Sequence, residues 1–114
     1  MAQIPEETTI VVLELQRKLL EILHQATALS FLILERHGET ETTLTDLEQL
    51  DNTRDRADAY YSRFFTILQR IAEAQPIANS AMLDLLMVAI AEAQVTVDAL
   101  EATLAETERD WNLL

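Results

Sequence analysis

Apolar residues recur at alternating spacings of three and four positions along almost the whole chain. The first such run covers residues 12–33, the second covers 47–71 and the third covers 83–111. This spacing is typical of α-helices that pack along one seam. No stretch shows the sustained period of two that marks a half-buried strand. The pattern therefore predicts an all-α fold made of three long helices.

Glycine and proline, the main breakers of regular structure, are rare, since the chain has one glycine and two prolines. Pro5, followed by two glutamates, favours the start of the first helix, and Gly38 favours its end. Pro76 indicates that the second helix ends just before it. We therefore predict a single domain, 1–114, with helices at about 5–37, 45–75 and 77–110.

Polar residues decide where the second helix starts and whether it is continuous. Thr45 and Glu48 have the spacing of a capping box, in which each side chain bonds the other residue's backbone N–H. The polar residues 39–43, which precede this box, are predicted to form a loop. The residues around Asn52 are weaker helix formers, so a break there stays open. Short turns between long helices favour an elongated antiparallel up-down-up bundle.

The first and third helices carry more apolar surface than a three-helix core requires. Large exposed apolar patches on soluble proteins usually mark partners. We therefore predict a homodimer that pairs these surplus faces, with a helix from another protein as the alternative occupant. The expected interface residues are Leu13, Leu20, Phe31, Leu34, Leu85 and Val88. Trp111 is expected to hold the end of the third helix onto the bundle.

The chain is strongly acidic, with a formal net charge of −12. Nucleic acids and anionic membranes attract cationic surfaces, so neither is an expected partner, whereas a basic protein would fit the charge. The absence of cysteine excludes disulfides and thiolate metal sites. The longest unbroken apolar run, 85–91, is far shorter than the roughly 18 residues that span a bilayer, and no targeting segment is recognisable. We therefore expect a soluble, cytoplasmic protein.

Two groups of side chains have the spacing of metal ligands. In the first group, Glu21 and His24 form a Glu-x-x-His step, which places both side chains on one helix face. Di-iron carboxylate bundles use two such steps, and this chain has no second one. An exposed or hydrogen-bonded histidine is therefore the alternative interpretation.

The second group is an acidic row on one face of the second helix, formed by Glu48, Asp51, Asp55 and Asp58. Carboxylates at this spacing suit Mg²⁺, which prefers oxygen ligands. Glu48-x-x-Asp51 resembles one half of the metal motif of the all-α nucleoside-triphosphate pyrophosphohydrolases. The resemblance covers those two positions and implies a Mg²⁺-dependent hydrolase, but the paired-glutamate half of the motif is incomplete here. The alternative is a solvated acidic face.

Arg54 interrupts the apolar seam of the second helix. Counting from the two turns brings it level with His24 on the first helix and Asp98 on the third. These three residues could form a mid-bundle polar layer that fixes register and partner choice, because a buried arginine must be paired. The alternative is that Arg54 lies at the edge of the seam and extends its guanidinium into water.

The sequence favours a non-catalytic helical interaction module, such as a small adaptor, regulator or assembly factor, that acts through apolar helical faces and needs no cofactor. An enzyme is less favoured. Two alternatives stay open, namely a metal-dependent hydrolase built on the acidic row and an acidic inhibitor of a basic partner.

Overall fold

The computed structural model describes residues 4–74 and 80–111. It contains the helices α1 (Glu6–His37), α2 (Glu41–Glu73) and α3 (Ser80–Asp110), and no strand occurs within the described ranges. The three helices pack against one another in a particle that measures 56 × 19 × 17 Å. The prediction of an all-α protein with three long helices is therefore confirmed.

Contacts between the helices define their directions. The amide of Gln25 on α1 donates to the carboxylate of Glu108, near the end of α3. Arg63, in the second half of α2, donates to Glu92 in the first half of α3 at 3.0 Å. The helices α1 and α3 therefore run in the same direction, and α2 runs antiparallel to both.

The core follows the predicted seam of α1 closely. Every apolar residue of the seam is buried, namely Val12, Leu15, Leu19, Ile22, Ala26, Leu29 and Ile33. On α3 the buried positions include Leu86, Ile90, Ala93, Val97, Leu100 and Leu104, as the spacing predicts. These residues form one continuous core with the apolar residues of α2, so hydrophobic burial along three seams holds the fold together.

The seam of α2 differs from the prediction where Thr53 and not Arg54 points into the core. It differs also near its end, where Ile67 is buried and the predicted Leu68 is only partly buried. The Thr53 hydroxyl donates to the backbone carbonyl of Gln49 at 3.0 Å, so the hydroxyl is hydrogen-bonded although the residue is buried. Burial of the Arg54 guanidinium would have required a buried partner to offset the loss of its hydration. The helix therefore turns the small residue inward and the charged one outward.

The start of α2 also differs from the prediction. The helix begins at Glu41, because Thr40 and Thr43 form the capping box. The Thr40 hydroxyl accepts from the N–H of Thr43 at 3.1 Å, and the Thr43 hydroxyl accepts from the N–H of Thr40 at 2.7 Å. The predicted box at Thr45 is thus wrong, and of the predicted loop at 39–43 only residues 39 and 40 lie outside the helix. The helix also passes through Asn52 without a break.

Gly38 ends α1 as predicted, with φ 69° and ψ −170°. This backbone conformation is essentially restricted to glycine, because a side chain would collide with the neighbouring peptide groups. The N–H of Gly38 bonds the carbonyl of Leu34 at 3.0 Å, which satisfies one of the free carbonyls of the last turn. The predicted boundaries at 75 and 77, beside Pro76, lie outside the described residues.

Candidate interaction surface

The side of α1 that faces away from the core carries a second seam. Eight exposed residues recur at alternating spacings of three and four, and we call them the outer seam of α1: Ile10, Leu13, Arg17, Leu20, His24, Thr27, Phe31 and Leu34. Five of them are large apolar side chains that are between 46% and 64% exposed. A helix that keeps this spacing on both sides is built to contact neighbours on both sides.

The expected interface residues of α1 all belong to this outer seam, since Leu13, Leu20, Phe31 and Leu34 are exposed. Sequence reasoning missed Ile10, which is 60% exposed. It also missed that polar residues complete the same repeat. The signal was present, because Ile10 lies three positions before Leu13, in phase with the remaining members.

Arg17 lies within the outer seam, and carboxylates of its own helix hold it. Its Nε donates to Glu14 at 3.0 Å, and the same guanidinium also donates to Glu21. The hydrogen bond from Arg17 lowers the pKa of Glu14, with smaller lowering effects from the charges of Arg17 and Lys18. The hydrogen bond and the charge of Glu14 raise the pKa of Arg17 above its ordinary value. The outer seam therefore contains a cation that two flanking carboxylates balance.

The candidate metal ligands are exposed and do not converge. Glu21 is engaged by Arg17, and His24 is an exposed member of the outer seam. The acidic row of Glu48, Asp51, Asp55 and Asp58 is exposed along α2, and Asp51 pairs with Arg54 at 3.5 Å. Within 4–74 and 80–111, no three histidine, aspartate or glutamate side chains form a group that could hold a metal ion.

The structure does not bring His24, Arg54 and Asp98 together as a buried layer. All three residues are exposed, and the Arg54 side chain retains 47% of its accessible surface. Arg54 pairs with Asp51 one turn earlier on its own helix. This arrangement matches the alternative prediction, in which Arg54 lies at the edge of the seam and extends its guanidinium into water. Thr53 occupies the adjacent core position.

The exposed side of α3 is the second apolar surface. Leu85 and Val88, both expected interface residues, are about half exposed, and Val95 is 72% exposed. Glu92 lies between Val88 and Val95 and is held by Arg63 and, at 3.5 Å, by the Tyr60 hydroxyl. We call Leu85, Val88 and Val95 the outer face of α3.

By length and composition alone, α3 could cross a membrane, since an 18-residue window reaches a mean hydropathy of 1.5. One such helix is a weak indication, because the core helices of soluble proteins meet the same criterion. In this fold α3 contributes a buried seam to the bundle.

A groove separates the first half of α1 from α3. One part, of about 460 Å³, is lined by residues that include Ile10, Lys18 and Asp98. A second part, of about 280 Å³, includes Met87. The two parts share Val11 and Gln94, so the groove is continuous. The apolar wall that Ile10 and Val11 provide extends the outer seam of α1 toward α3.

Charge is distributed unevenly between the two apolar surfaces. Between residues 10 and 34, α1 has two carboxylates, Glu14 and Glu21, and two cations, Arg17 and Lys18. The helix α3 has seven carboxylates against Arg109 alone. The outer seam of α1 is therefore electrically balanced, whereas α3 carries half of the net negative charge of the chain.

In comparisons with known proteins, no family model, no curated protein and no solved structure matches the chain.

Proposed function

We propose that this protein is a non-catalytic helical interaction module, a small adaptor, regulator or assembly factor, that forms a homodimer and acts through its exposed apolar helical faces. The observation that carries the proposal is the outer seam of α1, which repeats the coiled-coil spacing from residue 10 to residue 34 outside the core. Its side chains are exposed among residues 4–74 and 80–111, so the surface is available to a partner.

Burial of the outer seam would be favourable. Each Å² of apolar surface removed from water contributes about 25 cal/mol, and five large apolar side chains are half exposed along a face about 36 Å long. Monomeric soluble proteins rarely keep so extended an apolar surface in water. The hydrophobic effect therefore supplies a driving force for association that the core of the single chain does not use.

The second apolar surface leaves room for a further partner. The outer face of α3 is flanked by the acidic side chains of that helix, so a helical protein with basic residues around an apolar stripe would complement it. Nucleic acid and anionic membranes do not fit this charge. In this proposal α1 makes the homodimer, and α3 presents the surface through which a cytoplasmic partner is chosen.

Light scattering on the purified chain tests the proposal. We expect a mass of about twice the chain mass of 12.9 kDa at micromolar concentration. Phe31→Glu should reduce it to the mass of one chain, because a carboxylate placed in the outer seam would be buried without a partner. Phe65→Glu is the matched control, since Phe65 on α2 is 60% exposed, Phe31 is 64% exposed, and only Phe31 belongs to the seam.

Two results would contradict the homodimer. One is a wild-type mass of a single chain at all accessible concentrations, and the other is an equal loss of mass in the two variants. Circular dichroism of both variants should show the helical content of the wild type, so that a change in mass reports association and not unfolding.

A further inference from the structure

The order of residues along the outer seam of α1 favours one orientation of the α1 helix of a second copy. In heptad notation, Ile10, Arg17, His24 and Phe31 occupy the a positions, and Leu13, Leu20, Thr27 and Leu34 occupy the d positions. We propose that a second copy of this chain docks on the outer seam with the two α1 helices antiparallel, about a two-fold axis level with residue 22. This inference rests on the proposed homodimer and specifies its interface and register.

The antiparallel register brings compatible side chains together along the whole outer seam. In this register, a residue of one copy lies opposite the residue of the second copy that is equally far from residue 22 on the other side, so that the two residue numbers add up to 44. Ile10 then meets Leu34, and Leu13 meets Phe31, at both ends of the interface. Near the axis, Leu20 meets His24 of the second copy. The remaining layer pairs Arg17 with the small polar side chain of Thr27, which leaves the guanidinium with its carboxylate partners Glu14 and Glu21.

A parallel pairing is unfavourable for a specific reason. In register, it would place Arg17 opposite Arg17 and, two layers further along, His24 opposite His24 of the second copy. The two Arg17 guanidiniums are like charges, and like charges that face each other across an interface oppose association. A parallel pair would also align the two helix dipoles, whereas an antiparallel pair brings their opposite ends together. The polar members of the seam therefore select the antiparallel arrangement.

The charge distribution favours α1 over α3 as the surface for a second copy. Residues 10–34 of α1 have balanced charge, so two copies can approach there although each chain carries −12. Pairing the outer faces of α3 would instead oppose two helices with seven carboxylates and one arginine each. Salt screens exposed charges beyond about 8 Å at physiological ionic strength, so repulsion between the distant acidic faces of an α1-paired dimer is weak.

The outer seam is long enough for an extended contact with a second copy. It runs over about 36 Å of the 56 Å length of the bundle.

Cysteine cross-linking tests the orientation directly, because the natural chain has no cysteine. We would prepare Ile10→Cys and Leu34→Cys as separate proteins and oxidise each alone and both as a refolded equimolar mixture. A disulfide needs Cα atoms within about 7 Å. The antiparallel register separates the two copies of residue 10 by about 36 Å along the axis, whereas it places residue 10 beside residue 34.

The expected result is a cross-linked dimer in the mixture and none in either protein alone. Cross-linking of each variant with itself would show a parallel dimer and would overturn this inference. Val95→Cys mixed with Ile10→Cys is the control for random collision, since Val95 is 72% exposed on α3. A further outcome is a wild type with twice the chain mass while cross-links form only through Val95 or at none of these positions. That result would also overturn this inference, but the proposed homodimer would stand. A wild-type mass of one chain overturns both.

Discussion

The indole Nε1 of Trp111 donates a hydrogen bond to a carboxylate oxygen of Asp46 at 2.5 Å, which joins the end of α3 to the first turns of α2. The same indole ring packs against the ring of His37, the last residue of α1, with 4.8 Å between ring centroids. One side chain therefore connects the ends of all three helices at one end of the bundle. This geometry agrees with the expectation that Trp111 holds α3 onto the bundle.

Trp111→Phe should separate the hydrogen bond from the ring contact, because phenylalanine keeps an aromatic ring but has no donor. We expect the free energy of unfolding to fall by about 1 kcal/mol, the usual net contribution of a hydrogen bond. Urea unfolding followed by circular dichroism measures this change. Tyr60→Phe is the control, because the hydroxyl of Tyr60 is 3.5 Å from Glu92 and contributes less. Equal losses in the two variants would contradict a special role for the Trp111 bond.

Phe64 and Phe65 are neighbours in sequence with opposite environments. Phe64 is fully buried in the core, and Phe65 is 60% exposed. We expect Phe64→Ala to lower the free energy of unfolding by about 3–5 kcal/mol, because it removes a ring and leaves a cavity. Phe65→Ala should change it by no more than about 0.5 kcal/mol. Comparable destabilisation in the two urea titrations would show that the rotation of α2 about its axis differs from that described.

The first turn of α2 offers a test of the observed cap against the expected one. Thr40→Ala should lower the free energy of unfolding by about 1 kcal/mol, because it removes the side-chain oxygen that accepts from the N–H of Thr43. Thr45→Ala should have little effect, because Thr45 is exposed inside the helix. Thermal unfolding of both variants decides between the two caps. A larger loss of stability in Thr45→Ala than in Thr40→Ala would place the start of the helix at Thr45, as the sequence pattern predicted.

Periodicity predicted the helices and their inner seams because burial of a continuous stripe dominates the energy of such a fold. It could not choose between Thr53 and Arg54, which are adjacent on α2 and therefore differ by about 100° around the helix. That choice depends on how α2 is rotated against α1 and α3. The cost of burying a guanidinium, which spacing alone does not express, decides it.

The start of α2 was ambiguous for a different reason. Threonines at four positions between 40 and 45 can all act as caps, so the local sequence offers competing starts. Gly38 ends α1 in a conformation that leaves its carbonyl 2.9 Å from the Thr43 hydroxyl, and this contact favours the earlier cap. For the interaction surface, the surplus of apolar residues was predictable from the apolar positions that lie off the inner seams of the first and third helices. The spacing also contained the signal for Ile10, but only the position of the core shows that Arg17, His24 and Thr27 belong to the same exposed seam.

The outer seam also makes a prediction about protonation. Because Arg17 donates to Glu14, the pKa of Glu14 is below its ordinary value, and Arg17→Gln should raise it toward that value. Lys18→Gln should raise it less, because Lys18 acts only through its charge, the weakest of the lowering effects. Carboxyl NMR titration of Glu14 measures both shifts. A Glu14 titration that Arg17→Gln leaves unchanged, or a larger shift in Lys18→Gln, would contradict the pairing.

The sign of the pH dependence follows from the direction of that shift. A carboxyl whose pKa is lower in the folded than in the unfolded chain contributes stability above its unfolded pKa, and this contribution disappears as the pH falls through the folded pKa. Protonation of Glu14 also leaves Arg17 less balanced within the outer seam, so acid should weaken the dimer. Glu14→Gln keeps this side chain neutral at every pH, so we expect its dimer to be weaker than the wild type already at neutral pH and to lose less mass on acidification. A matched change at Glu35, a glutamate outside this ion pair, should leave the acid midpoint unaltered.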